Sequence, residues 1–233
     1  MKALVVGGSG TIGKAIVQDL LSQGYEVILT YYSAPYEQLQ EQYEGQPVQL
    51  VQLDTSQNID FEQLAFIRNL DALIYVSGRS LFGMLQDMTD AQIDKTYRIH
   101  VFNFIKLCQH FVSQLMAQPH GRIIVVSSIW GETGASFETI YSTMKAAQIG
   151  FVKALSQELA LTSVTVNAIA PGVVSGDMTN QLDEETRTAL LEELPQNRFV
   201  TAEEVAHAVN YLLSPRAQSV TGTVQRINGG WYT

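Results

Sequence analysis

Met1-Lys2-Ala3-Leu4-Val5-Val6-Gly7-Gly8-Ser9-Gly10-Thr11-Ile12-Gly13 opens the chain, and its reading decides the fold. Ala3–Val6 is a continuous apolar run, as expected of a strand covered on both faces. Glycines at 7, 8, 10 and 13 then turn the chain straight into an amphipathic stretch over 12–23 that reads as a helix. The same alternation continues outward. Further strand-like runs are Val27–Thr30, Val48–Leu53, Ala72–Val76, Arg122–Ser127, Val164–Ala168 and Val224–Ile227; helix-like segments lie near 34–44, 59–69, 90–117, 140–161 and 202–213. This order predicts a single α/β domain over residues 1–233, a doubly wound parallel sheet with helices on both faces. Residues 176–200 are polar and irregular, and a long segment of that kind late in an α/β domain is a candidate substrate lid.

Bulk composition narrows the function. The 233 residues are 46% hydrophobic and 16% charged, which is globular rather than disordered. Fourteen basic against twenty-three acidic residues give a net charge of −9, which argues against nucleic acid as a partner. Cys108 is the only cysteine, so neither an internal disulfide nor a cysteine metal cluster can form, and no metal site is expected. No stretch approaches the roughly 18 apolar residues of a membrane span. The N-terminal apolar run is too short for a secretion signal. A cytoplasmic protein with no membrane partner is expected.

The glycine turn carries the first chemistry. A helix N-terminus offers free N–H groups and a favourable dipole to an anion, and glycine lets the backbone approach it closely. Tight strand–helix turns need glycine in any case, but this turn stands between a strand and a helix, as the pyrophosphate of a dinucleotide requires. Gly7, Ser9, Gly10, Thr11, Ile12 and Gly13 are the candidate contacts. The next strand ends in Thr30-Tyr31-Tyr32-Ser33. An acidic residue about 20 positions after the glycines would mark NAD(H). Tyr31 stands there instead, and the hydroxyls of Tyr31, Tyr32 and Ser33 favour NADP(H) over NAD(H), although no arginine is present to clamp a 2′-phosphate. Asp54 either caps the turn after its strand or accepts from the adenine amine.

Tyr141-Ser142-Thr143-Met144-Lys145 begins a helical segment, so Tyr141 and Lys145 project from one face a turn apart. A free phenol titrates near pH 10, and an ammonium nearby is expected to pull that value down. A carbonyl reduced by hydride needs a proton, which Tyr141 can supply while Ser128, at a strand end, positions the oxygen. The pair alone is also a common surface arrangement. Its place beside a strand end favours chemistry.

Taken in order, the glycine turn, Ser128 and Tyr141-x-x-x-Lys145 resemble the short-chain dehydrogenase/reductase family, and most of all its 3-oxoacyl-[acyl-carrier-protein] reductases. The likeness spans nearly the whole chain. It implies a Rossmann-type sheet, a catalytic set of Ser128, Tyr141 and Lys145, and cofactor contacts extending to Thr55, Ser77, Gly78, Pro171, Gly172 and Val174. Asn167-Ala168-Ile169-Ala170-Pro171-Gly172 matches the family block under the nicotinamide, with Asn197-Arg198-Phe199, Thr221-Gly222 and Asn228-Gly229-Gly230 matching C-terminal blocks.

Four departures stand out. The middle glycine of the usual loop falls on Thr11. Tyr75-Val76-Ser77-Gly78 replaces Asn-Asn-Ala-Gly, Gly176 stands where a threonine is common, and His100 aligns with the family's helix asparagine. His100 either passes protons through water to Lys145, and so joins the catalytic set, or is a buried histidine satisfied by backbone. Arg79 either steers an acidic substrate arm or pairs with a surface carboxylate. Trp130, Phe137, Phe82 and Met84 are either pocket walls or core.

The 90–117 and 140–161 segments carry apolar residues on more than one face, among them Ile99, Val101, Phe102, Phe104, Ile105, Ile149, Phe151, Val152, Leu155 and Leu159. This predicts a homo-oligomer, a dimer or tetramer, and the resemblance implies a homotetramer built partly from these helices. The expected activity is NADPH-dependent reduction of a small-molecule carbonyl or acyl thioester, with an acyl-carrier protein as a candidate partner. A ketone reductase or alcohol dehydrogenase with another substrate is the alternative within the class. A dinucleotide-binding regulator without catalysis is the alternative outside it.

Overall fold

Side chains alternate across a strand, and in Lys2–Val6 (β1) both faces are apolar, with Ala3, Leu4, Val5 and Val6 all fully buried. The computed structural model describes residues 1–176 and 179–232. After β1 come α1 (Thr11–Ser22), β2 (Glu26–Tyr31), α2 (Tyr36–Gln42), β3 (Val48–Gln52) and β4 (Ala72–Tyr75). They are followed by α3 (Asp90–Tyr97), α4 (Asn103–Met116), β5 (Arg122–Val126), α5 (Trp130–Thr133), α6 (Thr139–Glu158) and β6 (Thr165–Pro171). The last elements are α7 (Glu184–Glu193), α8 (Ala202–Leu213) and β7 (Val224–Ile227). The strands form one parallel sheet in the order β3-β2-β1-β4-β5-β6-β7.

Strand parity sorts the core into two layers. Ala3, Val5, Val27, Leu29, Ile74 and Ile124 meet α1 and α8 on one face, while Leu4, Val6, Ile28, Leu73, Ile123 and Val125 meet α4 and α6 on the other. The chain reverses direction across the sheet between β1 and β4, and open α/β sheets bind ligands outside the strand ends at such a point. The glycine turn after β1 and Ser77-Gly78 after β4 flank that crevice.

Three expected elements differ. The 59–69 segment forms only a 3₁₀ turn at Phe61–Leu64, capped by Asp60 through the Glu62 amide and continued by i→i+3 bonds from Ala65 and Ile67. The 90–117 segment is not one regular helix, since Arg98–Phe102 between α3 and α4 is π-helical. There the Ile99 carbonyl accepts from Tyr75 Oη and the His100 carbonyl from Gln148 Nε2, at 2.7 Å for the latter. Residues 176–200 are not wholly irregular. Asp183 accepts from the Thr186 amide at 2.7 Å and Glu184 and Glu185 occupy the first turn, so α7 forms with no buried residue and hence no apolar stripe to announce it. Asp177 and Met178 of that stretch lie outside the described residues.

Away from the crevice, the side chain of Arg122 is 1% exposed at the start of β5. Among the described residues it has no carboxylate partner, and it donates to the carbonyls of Gly121 (2.9 Å), Leu212 (3.1 Å), Ser214 (3.2 Å) and Ser163 (3.4 Å). Leu212 and Ser214 belong to the C-terminal end of α8, where the helix dipole welcomes a cation. Arg122→Ala leaves these buried carbonyls without their donor, and urea denaturation should read a loss of about 2–4 kcal/mol. Arg122→Lys should recover only part of it, because one ammonium cannot span the four acceptors.

Candidate active site

Close packing explains some of the glycines, and an open cradle explains another. A Cβ on Gly13 would stand 2.3 Å from the Gly7 carbonyl and 2.7 Å from Gly8 Cα, and one on Gly7 would meet the Ser77 amide at 2.7 Å. These two positions hold α1 against β1 and β4. A Cβ on Gly10 would meet only the Gly7 carbonyl, at 3.7 Å, and Gly10 lines the crevice. As the N-cap of α1, Gly10 provides no side-chain cap, and the first turn has no acidic residue. The amides at this helix end therefore face no carboxylate of their own turn, which suits a pyrophosphate.

The crevice encloses about 800 Å³. The glycine turn lines it together with Tyr31, Tyr32, Ser33, Asp54, Thr55, Ser77, Gly78 and Val174, so most of the cofactor contacts expected from sequence converge there. Pro171 and Gly172 do not line it. Pro171 is buried with its carbonyl accepting from Ile129, and the Gly172 amide donates to Ile227. Sequence reasoning missed Arg79, Lys95, Ile99 and Gln181 as lining residues of a nucleotide cleft. One Asp54 carboxylate oxygen accepts from the Ser56 amide at 2.8 Å and so caps the turn after its strand. The other large cavity, about 690 Å³ between α2 and β3, presents Glu37, Glu41 and Glu44 but none of the Ser128, Tyr141 and Lys145 set.

Ser128, Tyr141 and Lys145 come together at the ends of β5 and α6. Ser127 Oγ donates to the Lys145 carbonyl at 3.0 Å, and Gly131 lets α5 lie against α6, since a Cβ there would meet the Lys145 carbonyl carbon at 2.8 Å. Ser128 accepts from the Trp130 amide at 3.2 Å and lies close enough to Tyr141 to lower its phenol. The Lys145 ammonium donates to the Val126 carbonyl at 2.9 Å and lies 5.6 Å from the centre of the Tyr141 ring.

The expectation that the lysine depresses the phenol is not met. Burial, and then the charge of Glu138, push Tyr141 up to about 12, against a lowering from Ser128. Burial pulls Lys145 down to about 7.

Glu138, three residues before Tyr141, was not legible as a site residue. Its buried carboxyl is pushed up to about 7 by desolvation, opposed by a hydrogen bond from Trp130. His100 is wholly buried, with its ring 5.4 Å from that of Tyr141 and perpendicular to it. Burial and the nearby Lys145 hold it down to about 3, so the ring is neutral at physiological pH. Phe82, Phe137 and Met84 are exposed rather than core, and the Gly83 amide donates to the Phe137 carbonyl at 2.8 Å, tying two apolar loops together. Trp130 stacks edge-on with Trp231 at 5.1 Å. The base of the 176–200 excursion is pinned. Val174 pairs with Val200, and Gly176 sits so close to Thr11 that a Cβ would approach its methyl to 2.6 Å.

A parallel doubly wound sheet, a cradled helix N-terminus at its switch point and a serine, tyrosine and lysine beside it define a dinucleotide-dependent oxidoreductase site. Residues 7–232 match the family model described as enoyl-(acyl carrier protein) reductase. The chain is 36% identical over 237 residues to the uncharacterized oxidoreductase YmfI of Bacillus subtilis (strain 168), covering 99% of this chain and 98% of that one. It is 32% identical over 235 residues to the 3-oxoacyl-[acyl-carrier-protein] reductase FabG of Escherichia coli (strain K12), covering 99% and 96% respectively. A solved short-chain dehydrogenase/reductase from Serratia marcescens BCRC 10948 superposes with a TM-score of 0.91 at 27% identity, covering 100% of this chain and 98% of that one. The chain belongs to the short-chain dehydrogenase/reductase family, oxidoreductases that bind a nicotinamide dinucleotide. Among the described residues no group of His, Cys, Asp or Glu is arranged to hold a metal, and no helix is long and apolar enough to cross a membrane.

The buried amine has a measurable cost. Lys145 titrates near 7 in the folded chain against an ordinary 10.5. Below pH 7 the folded state must bury a charge. As pH rises from 7 to 10.5 the folded state sheds its proton first and that cost fades. Lys145→Met should therefore raise Tm by roughly 2–8 °C near neutrality, with the gap over wild type narrowing as the melting buffer is taken towards pH 10.

Proposed function

We propose that the protein is an NADPH-dependent carbonyl reductase with Tyr141 as the proton donor, acting on 3-oxoacyl thioesters. The observation that carries this reading is the convergence of Ser128, Tyr141 and a buried Lys145, whose Nζ lies on the Val126 carbonyl 5.6 Å from the centre of the Tyr141 ring, next to the nucleotide crevice. When bound, the dihydronicotinamide supplies hydride. Tyr141 Oη gives its proton to the carbonyl oxygen as negative charge builds there, and Ser128 holds that oxygen by donating a hydrogen bond. The protonated form of Lys145 then stabilises the phenolate. Gly7, Ser9, Gly10, Thr11, Ile12 and Gly13 would hold the pyrophosphate, with Tyr31, Tyr32, Ser33, Asp54 and Thr55 at the adenosine end and Ser77, Gly78 and Val174 nearer the nicotinamide.

NADP(H) is favoured because Tyr32 and Ser33 are exposed hydroxyls in the crevice lining, and Asp54 is the only carboxylate among the lining residues. One oxygen of that carboxylate is already committed to its turn. The thioester reading rests on the relative whose name carries that activity and on the exposed apolar Phe82, Met84 and Phe137. An acyl-carrier protein is then the natural carrier of the substrate.

We also retain the homo-oligomer and the cytoplasm as parts of this reading. Six of the ten apolar residues invoked for the oligomer are buried within the single chain. Phe102, Ile105, Phe151 and Leu155 remain half-buried for a second copy to cover.

NADPH oxidation with an acetoacetyl thioester and a panel of ketones tests the proposal. Tyr141→Phe should lower turnover by about 10²–10⁴-fold while tryptophan fluorescence still reports dinucleotide binding. Faster turnover with NADH overturns the cofactor preference, and ketones outpacing the thioester overturn the substrate. Tight NADPH binding with no turnover on any carbonyl would mark a non-catalytic binder.

A further inference from the structure

His100 occupies the middle of the π-helical stretch Arg98–Phe102, and its two ring nitrogens meet very different surroundings. Nε2 lies 3.0 Å from the Arg79 carbonyl oxygen and 3.3 Å from the Arg79 amide nitrogen. An imidazole nitrogen is a donor when protonated and an acceptor when bare. A protonated Nε2 donates to the carbonyl, and a bare Nε2 accepts from the amide. A single protein partner normally fixes the tautomer of a buried histidine. Here one residue's backbone satisfies both.

The other nitrogen, Nδ1, is buried and makes no hydrogen bond to any described residue. It does face something. A Cβ built on Gly78 would stand 3.6 Å from His100 Nδ1 and 3.6 Å from Lys145 Nζ, so the two nitrogens border the same small space beneath a residue that has no side chain to fill it. The ionisable groups facing the ring are Lys145 and Tyr141 on α6, and Arg79 approaches from beyond β4.

We propose that His100 is a positioning residue whose tautomer follows the protonation state of Lys145 through one bridging water. With Lys145 as an ammonium, the water accepts from Nζ and donates to a bare Nδ1, while Nε2–H donates to the Arg79 carbonyl. With Lys145 as a neutral amine, Nδ1–H donates to the water, which donates to the amine, while the bare Nε2 accepts from the Arg79 amide. Between the two arrangements one N–H bond breaks at Nε2 and one forms at Nδ1. The ring loses and gains one proton in exchange with solvent, and its charge stays at zero. Both states of the lysine then keep a second hydrogen-bond partner at Nζ beside the Val126 carbonyl, which only accepts and so cannot satisfy the lone pair of the neutral amine.

The proposal deepens the carbonyl-reductase reading, and the π-helical stretch and Tyr75 become part of it. Tyr75 Oη donates to the Ile99 carbonyl and Gln148 Nε2 to the His100 carbonyl, which fixes the backbone on either side of the ring nitrogens.

The test reads the ring itself. Protein labelled with ¹⁵N at its four histidines is followed by long-range ¹H–¹⁵N correlation from pH 5.5 to 9, the His100 signals being those lost in H100Q. The expected result is a ring that stays neutral while its protonated nitrogen changes from Nε2 to Nδ1 as Lys145 titrates, and a single unchanging tautomer in K145M. One tautomer throughout in wild type, an imidazolium in this range, or the same exchange in K145M would overturn the proposal.

Kinetics give a second readout. H100F, which keeps the ring volume but no nitrogen, should lower kcat at least tenfold and displace the ionisation near neutrality in the kcat–pH profile, with the KM for NADPH within twofold of wild type. H100Q, whose amide both donates and accepts, should recover most of that loss. An unchanged profile in H100F overturns the proposal, and the spectra of wild type and K145M decide it if H100F does not fold. Because the spectra need no substrate, a wild type without reductase activity would sink the carbonyl-reductase reading while leaving the coupling of His100 to Lys145 to be judged by itself.

Discussion

At Gly7 and Gly13 the backbone passes so near to other backbone that no side chain fits, and the rest of the molecule is arranged around those contacts. Gly13 against Gly7 and Gly8 sets the distance of α1 from β1, and Gly7 against Ser77 sets the distance of the same turn from β4. The N-terminus of α1 is thereby aimed at the one place in the sheet where neighbouring crossovers diverge. Substituting a larger residue at 13 would displace more than a loop. It would move the helix that packs against α8 and forms one layer of the core.

A second constraint acts at the other side of the crevice. Lys145 is surrounded by backbone: its ammonium on the Val126 carbonyl, its own carbonyl on Ser127, and α5 pressed against it through Gly131. That burial lowers the amine and raises the phenol of Tyr141, so the protein without ligand holds both groups nearer their neutral forms. Chemistry and stability pull in opposite directions at this residue, as they commonly do where an ionisable group is kept out of water.

Much of this was legible in the sequence, for identifiable reasons. Strands covered on both faces, such as β1 and β4, write themselves as near-continuous apolar runs, and the mixed edge strands β3 and β7 kept enough Val, Leu and Ile that all seven were visible to within a few residues. The glycine turn and the Tyr141–Lys145 spacing were readable because they are local. What escaped was largely non-local. The 59–69 segment looked helical, but only Phe61–Leu64 forms a 3₁₀ turn, and Ile67 and Leu70 reach the core from irregular backbone. The π-helical turn at His100 depends on Tyr75 and Gln148, far away in sequence, taking up carbonyls. Glu138 became a site residue only when Trp130 and Tyr141 were seen beside it, since a lone glutamate before a helix reads as a solvated charge. The polar α7 has no buried face, so only its cap at Asp183 could have betrayed it.

β5 spans five residues, about 17 Å from end to end. At its start, a guanidinium is sealed among four carbonyls drawn from three separate parts of the chain. Past its other end stand Ser127 and Ser128. One short strand thus joins the fastening of the domain to its reactive face without mixing them, since the two share no side-chain contact. Substitutions around Arg122 would change how long a molecule survives heat, proteases or dilution, and those around Ser128 how fast it turns over. Lineages carrying this architecture are free to adjust durability and rate along separate axes, which an active site that also served as the keystone of its fold would forbid.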